Sequence, residues 1–142
     1  MENKQKVLFI CTGNSCRPQI AEGLLNEMAA KYFDVYSAGS HPSRVNPNAI
    51  SIMKEIEIDI SNHTSNSLNE YLNTGIDIVI SVCDNAKRSC PVFPKGTMKI
   101  HWSIDDPFQG WDENENSLNN FRKTRIELKD RIQEFINEMG LS

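Results

Sequence analysis

Cys11 closes an apolar run, Val7-Leu-Phe-Ile10, and Arg17 follows just where a helical pattern begins. A thiol at the tip of a strand, a tight loop and a helix N-terminus together make an anion cradle with a nucleophile at its base. The amides of Thr12, Gly13, Asn14, Ser15, Cys16 and Arg17, with the positive end of the helix dipole, stabilise negative charge there. The same field is expected to lower the pKa of the Cys11 thiol. Arg17 offers a planar fork of donors to two oxygens of a tetrahedral anion. Gly13 and Asn14 tolerate left-handed backbone, which lets successive amides converge on one point. The plainer reading is a buried cysteine ending a strand beside a surface arginine. The position between strand and helix argues against it.

Two further groups could do chemistry. Asp105-Asp106-Pro107 offers a carboxylic acid that could protonate a departing oxygen; alone, it equally suits an ordinary Asp-Pro turn. Cys83 ends a strand and Cys90 lies seven positions on. If the intervening residues were helical, the two α-carbons would stand about 10.5 Å apart at about 1.5 Å per residue. A disulfide needs them within roughly 7 Å, so it could form only after a rearrangement. The pair is a redox switch or two independent core cysteines. Zinc ligation by Cys83, Cys90 and His101 lacks the usual paired spacing. No metal and no cofactor is expected. His41 and His63 read as loop residues without a catalytic role.

The elements that must position these groups alternate between strand and helix. Val7–Ile10 has the continuous apolar character of a buried parallel strand. Ile20, Leu24, Leu25 and Met28 recur at helical spacing, with Pro18 tolerable in the first turn. Val35-Tyr36 opens a short strand that breaks at Gly39. Asn46-Pro47 reads as an N-cap and first-turn proline for a helix that turns Ile50, Met53 and Ile56 inward. A short helix is expected from Leu68 to Leu72, a strand over Ile76–Val82 and another over Met98–Trp102. From Ser117 onward, Leu118, Phe121, Leu128, Ile132, Phe135 and Met139 trace one stripe of a long helix. Arg125 falls in that stripe, so it either snorkels or meets an acidic partner. This predicts an α/β domain with an open parallel sheet of about four strands and helices on both faces. Cys11, Cys83 and Asp105-Asp106 then all follow strands, at the edge where such sheets bind ligands.

Composition narrows the setting. The chain has 142 residues, which suits a single domain over 1–142. A net charge of −4 argues against nucleic-acid or anionic membrane partners. No signal peptide is apparent and the apolar runs are strand-sized, so a cytoplasmic protein is expected. Four cysteines in that compartment suggest catalysis, metal or core packing before structural disulfides.

Cys11-Thr-Gly-Asn-Ser-Cys-Arg17 resembles the phosphate-binding loop of the low-molecular-weight protein tyrosine phosphatase superfamily. The likeness continues through Ala21-Glu22-Gly23, Tyr36-Ser37-Ala38-Gly39, Asn46-Pro47, Asp59-Ile60-Ser61, Cys83, Cys90-Pro91, His101-Trp102 and Asp105-Asp106-Pro107. Cys83 and Cys90 make the chain most similar to the thioredoxin-coupled arsenate reductases within it. That resemblance implies a low-molecular-weight phosphatase-like fold and reduction of arsenate to arsenite, for arsenic detoxification. It implies Cys11 as nucleophile, Arg17 as oxyanion holder and Asp106 as general acid. Cys83 then Cys90 would relay a disulfide to thioredoxin, and a monomer is expected. Two rivals share most of these residues: a phosphatase of phosphotyrosine or small phosphate esters, and a non-enzymatic oxyanion or redox sensor. Weak phosphatase activity is compatible with the reductase.

Three positions depart from the pattern. Pro18 stands where the superfamily usually has a serine supporting the thiolate. Asn66 replaces the aspartate that some members place in a potassium site with Asn14, Glu22, Ser37 and Thr64, and losing that carboxylate weakens a hard-cation site. No potassium requirement is expected. Phe108 replaces the tyrosine that phosphatases usually carry after Asp-Pro.

Overall fold

The computed structural model describes residues 4–83, 93 and 96–141. Cys90 and the expectation of a helix between it and Cys83 lie outside the described residues. Four strands, β1 (Gln5–Cys11), β2 (Phe33–Gly39), β3 (Ile78–Ser81) and β4 (Met98–His101), form one sheet ordered β2-β1-β3-β4. All three pairings are parallel. The described helices are α1 (Arg17–Ala29), α2 (Pro47–Lys54), α3 (Glu115–Glu138) and a 3-10 turn at Leu68–Tyr71. This is the expected open parallel α/β architecture.

β1 is hydrogen-bonded on both sides, and Val7, Leu8, Phe9 and Ile10 are all buried. A central parallel strand covered on both faces needs such an unbroken apolar run. β1 leads to β2 on one flank and pairs with β3 on the other. The chain therefore switches direction at β1, and a cleft opens beyond its carboxyl end. Register then places the site residues. Cys11 lies opposite Gly39, and Val82 donates its amide to Ile10 at 3.0 Å, bringing Cys83 alongside the end of β1.

α1 buries Ile20, Leu24 and Leu25, with Gly23 letting Ile60 and Met53 pack close to its backbone. Asn46 caps α2, its side chain accepting from the Asn48 amide at 2.9 Å. Here the inward face differs from expectation. Ala49, Ile52 and Met53 are the buried residues, Ile50 is half-buried, and Ile56 is exposed. The helix ends at Lys54, so Ile56 lies past its last turn, and Glu57, at φ 63°, then turns the chain.

α3 packs against α1 and α2. Phe135 meets Phe33 at 5.6 Å and Trp102 at 6.3 Å between ring centres, and Trp102 meets Phe9 at 6.0 Å. This aromatic column joins the long helix to the sheet. Arg125 leaves the apolar stripe to donate to the Ile52 carbonyl and to Glu55 at 2.9 Å. Of its two expected fates, the acidic partner is the one realised. On the opposite face of the sheet, Tyr36 packs against Tyr71 of the 3-10 turn.

Among the described residues no helix is long and apolar enough to cross a membrane.

Candidate active site

The loop from Cys11 to Arg17 is shaped by the segment that follows β2. The amides of Ser40, His41, Ser43 and Asn46 donate to the carbonyls of Cys11, Thr12, Gly13 and Ser15, at 2.8–3.3 Å. The hydroxyls of Ser43 and Ser65 add two bonds to the Gly13 carbonyl, at 3.2 and 3.1 Å. Tying the carbonyls outward leaves the loop amides to face the other way, as an anion cradle requires. Asn14 takes the left-handed turn at φ 46°, while Gly13 does not adopt that conformation. Of the two residue types singled out for that freedom, only Asn14 uses it.

Gln19, fully buried in the first turn of α1, holds Asn14 from behind. Its Nε2 donates to the Asn14 carbonyl at 3.0 Å, to Asn14 Oδ1 at 3.1 Å and to the Thr64 carbonyl at 2.9 Å. With its nitrogen so committed, the Gln19 oxygen accepts from His63 Nδ1 at 3.0 Å. His63 Nε2 then faces Glu22 at 3.9 Å. His63 is thus a structural member of the site's floor, where the sequence suggested an ordinary loop residue. A polar residue within an apolar helical pattern was the one signal for Gln19.

Arg17 reaches across the cleft with its side chain 12% exposed. Nη1 donates to the Ile104 carbonyl at 2.8 Å and Nη2 to Cys11 Sγ at 3.3 Å. Arg17 Nε is buried and has no hydrogen-bond partner among the described residues. Asp106 Oδ2 lies 3.7 Å from Nη2, and the carboxylate is 59% exposed at the mouth. The cleft is lined by Asp106, not Asp105, together with Thr12, Gly13, Ser15, Cys16, Arg17 and Cys83.

Cys11, Cys16 and Cys83 are all buried. Cys83 lies beside Cys11, close enough to perturb its thiol, and its sulfur is 3.9 Å from Thr12 Oγ1. That contact reverses the expected shift of Cys11. The neighbouring thiol and burial raise its pKa above the ordinary thiol range, against the opposing pull of Arg17. The helix terminus and arginine do favour a thiolate, but two adjacent buried sulfurs cannot both ionise readily. Burial pushes Cys16 up to about 11, with the Ser15 hydroxyl, 3.3 Å away, opposing it.

The residues that could hold a cation beneath the loop are otherwise engaged. Asn14 Oδ1 accepts from Gln19, Asn66 Oδ1 accepts from Thr64 at 3.0 Å, and Glu22 accepts from Ser37 at 2.5 Å. Desolvation also raises the Glu22 pKa. Without the second carboxylate this oxygen set is a weaker site for a hard cation.

The cysteine at the strand end, the cradle closed by Arg17 and Asp106 at its mouth all fall within one family match. Residues 6–141 match the low molecular weight phosphotyrosine protein phosphatase family, and the chain belongs to it. Within that family its relatives include "Arsenate reductase 2" of Staphylococcus saprophyticus, 42% identical over 134 residues, covering 94% of this chain and 97% of the relative. A solved arsenate reductase in its oxidized state superposes with a TM-score of 0.80 at 33% identity, over 94% of this chain and 98% of that one. A thioredoxin-dependent arsenate reductase of Corynebacterium glutamicum superposes with a TM-score of 0.76 at 29% identity, over 99% of this chain and 64% of that one.

Proposed function

We propose that this protein is an arsenate reductase acting through Cys11, Cys83 and Cys90. The observation that carries the reading is Cys83 placed beside Cys11, lining the same cleft that Arg17 closes. An ester hydrolase needs the cradle and the first cysteine; only a reductase has use for a second thiol there.

Arsenate would sit on the amides of Thr12 to Arg17, with the Arg17 guanidinium bridging two of its oxygens. The Cys11 thiolate attacks arsenic, an As–O bond breaks, and Asp106 gives the departing hydroxide a proton, so that water leaves. The Cys83 thiolate then attacks the Cys11 sulfur. The S–S bond forms as the S–As bond breaks, and its electron pair stays on arsenic, now arsenite. Forming the As–S bond removes the Cys11 charge that opposed Cys83 ionisation, so the thiolates are needed one at a time. Cys90 attacks Cys83 next, freeing Cys11, and thioredoxin reduces the Cys83–Cys90 disulfide. Thioredoxin is supported by the dithiol chemistry and by the thioredoxin-dependent relative. A monomer working in the cytoplasm agrees with this reductant.

The test is arsenite formation by the purified protein, with thioredoxin and glutathione systems supplied separately. Reduction with thioredoxin is expected. Cys83→Ser should lose multiple turnover yet keep slow aryl phosphate hydrolysis, which needs only Cys11, Arg17, Asp106 and water. Cys90→Ser should accumulate a Cys11–Cys83 disulfide, visible by mass spectrometry after alkylation. Wild-type arsenate reduction by both serine variants would overturn the relay and leave the phosphatase reading. A mere oxyanion sensor would form no arsenite at all.

A further inference from the structure

Asp106 must meet a departing oxygen, yet the segment that carries it has no strand or helix to hold it. Residues 102–114 run from β4 to α3 as irregular chain, and the Asp106 carboxylate stands 59% exposed at the mouth. A proton donor acts only within about 2.6–3.2 Å of the atom it protonates. A misplacement of about 1 Å can cost about 10²-fold in rate. The fastening of this segment therefore decides whether Asp106 works. Arg17 secures one side of it through the Ile104 carbonyl, at 2.8 Å.

Asn46 secures the other. It is fully buried at the start of α2, and each of its polar groups is hydrogen-bonded. Its main-chain amide donates to the Ser15 carbonyl at 2.9 Å, one of the bonds that shape the cradle, and its carbonyl accepts from the Ala49 amide at 3.0 Å. Its Oδ1 accepts from the amide and the Nδ2 of Asn48, both at 2.9 Å. Two donors on that end identify it as the oxygen, so the nitrogen faces Gly110. Asn46 Nδ2 donates to the Gly110 carbonyl at 3.1 Å. Asn48, also fully buried, adds a bond to the Asp112 carbonyl at 3.2 Å. Outside, Phe108 and Trp111 form an aromatic wall, edge to face at 5.3 Å, on which the exposed Arg44 stacks. The Phe108 amide donates to Asp106 Oδ1 at 3.0 Å, tying the carboxylate to the turn so anchored.

Resting on Asp106 as the general acid of the proposed function, we infer that Asn46 is its positioning residue. The main chain of Asn46 shapes the nucleophile's cradle while its side chain fixes the acid's loop, so one buried residue sets the distance between the two. Removing the side-chain donor leaves the bond to Ser15 in place and frees the loop. Oxyanion binding then survives, and only steps that take a proton from Asp106 slow.

Asn46→Ser tests this in the full-length protein. Serine caps a helix about as well as asparagine and keeps the main-chain bond to Ser15, but it has no amide to offer Gly110. Asn46→Asp, close in size, also caps and cannot donate. Both should lower kcat/KM for phenyl phosphate by about tenfold to 10²-fold, and slow the first arsenate step by a similar factor. Dinitrophenyl phosphate, whose leaving group departs without a proton, should stay within about twofold, as should phosphate affinity. In an Asp106→Asn background, Asn46→Ser should cost less than about twofold more, because residues acting through one group are not additive. Equal losses with both esters, or a matching loss of phosphate affinity, overturn the inference by placing the effect in the cradle. Full additivity with Asp106→Asn, unchanged phenyl phosphate turnover, or failure of both variants to fold also overturns it. If Asp106→Asn slows phenyl phosphate selectively and the Asn46 variants do not, the inference alone falls. If Asp106→Asn shows no such selectivity, the general acid of the proposed function falls with it.

Discussion

Gly39 at the end of β2 touches the backbone of Thr12: a β-carbon there would stand 2.4 Å from the Thr12 carbonyl oxygen and 3.0 Å from the Asn14 amide. Register explains the contact, since Gly39 pairs with Cys11 and the cradle begins at the next residue. The absence of a side chain at Gly39 is what lets the cradle close against its neighbouring strand.

Gly39→Ala should therefore cost roughly 1–3 kcal/mol by overpacking, and should weaken phosphate binding by displacing loop amides. Gly13→Ala makes a fair comparison, because its β-carbon would meet only side-chain oxygens at 3.7 and 3.9 Å. Thermal unfolding with and without phosphate checks both. Equal damage from the two substitutions would contradict the backbone-contact argument.

The Cys11 thiol is raised chiefly by Cys83, so its thiolate appears only at higher pH in the native protein. Cys83→Ala removes the largest raising influence. Its Cys11 should ionise at lower pH and be alkylated faster near neutrality, as the ultraviolet thiolate signal and iodoacetamide kinetics will report. An unchanged Cys11 titration would place the cause in burial alone.

Asp106→Asn should slow the first arsenate step by about 10²–10⁴-fold, the usual worth of general acid catalysis. Phosphate affinity should persist or improve, because the amide removes a negative charge 3.7 Å from Arg17. Rapid-quench measurement of the first turnover separates these effects. A larger loss in Asp105→Asn would transfer the role to the neighbouring carboxylate.

Arg17→Lys should weaken phosphate and arsenate binding by at least about tenfold, since an ammonium lacks the planar fork. The Ile104 carbonyl would also lose its donor, now at 2.8 Å. Isothermal titration with phosphate reads the loss directly.

Glu55 joins α2 to α3 through Arg122 at 2.6 Å and Arg125 at 2.9 Å. Their hydrogen bonds lower its pKa from the ordinary 4.5 to about 2. The folded form is thus the stronger acid, and its stabilisation is complete above about 4.5 and lost as pH falls through about 2. The partners are solvent-reachable, so the contribution is about 1 kcal/mol. Glu55→Gln should lower the neutral-pH melting temperature, with the difference from wild type vanishing near pH 2.

Much of this was legible along the chain. A continuous apolar run names a buried parallel strand because both of its faces must be covered, as Val7–Ile10 are. Asn46-Pro47 marks a helix start because capping is local chemistry. The cradle is local too: thiol, loop, arginine and helix terminus lie within seven residues, so Cys11–Arg17 carried its own description. Local signals were weaker at ends. The inward face of α2 was misplaced because periodicity cannot tell that the helix ends at Lys54 and leaves Ile56 beyond it.

What no linear reading could reach were contacts made across the fold. The carbonyls of the cradle are fastened by Ser40 to Asn46, and its floor by Gln19 and His63, because strand pairing and helix packing bring those segments under one loop. The aromatic wall joins residues 44 and 46 to residues 108–112, two stretches with no shared pattern. The direction of the Cys11 shift follows the same rule. A helix terminus and an arginine are read from neighbours in sequence, but the opposing thiol arrives from a different strand, 72 positions away. Electrostatic energy depends on distance in space and on the solvent excluded between charges, and only the packed sheet sets those two quantities.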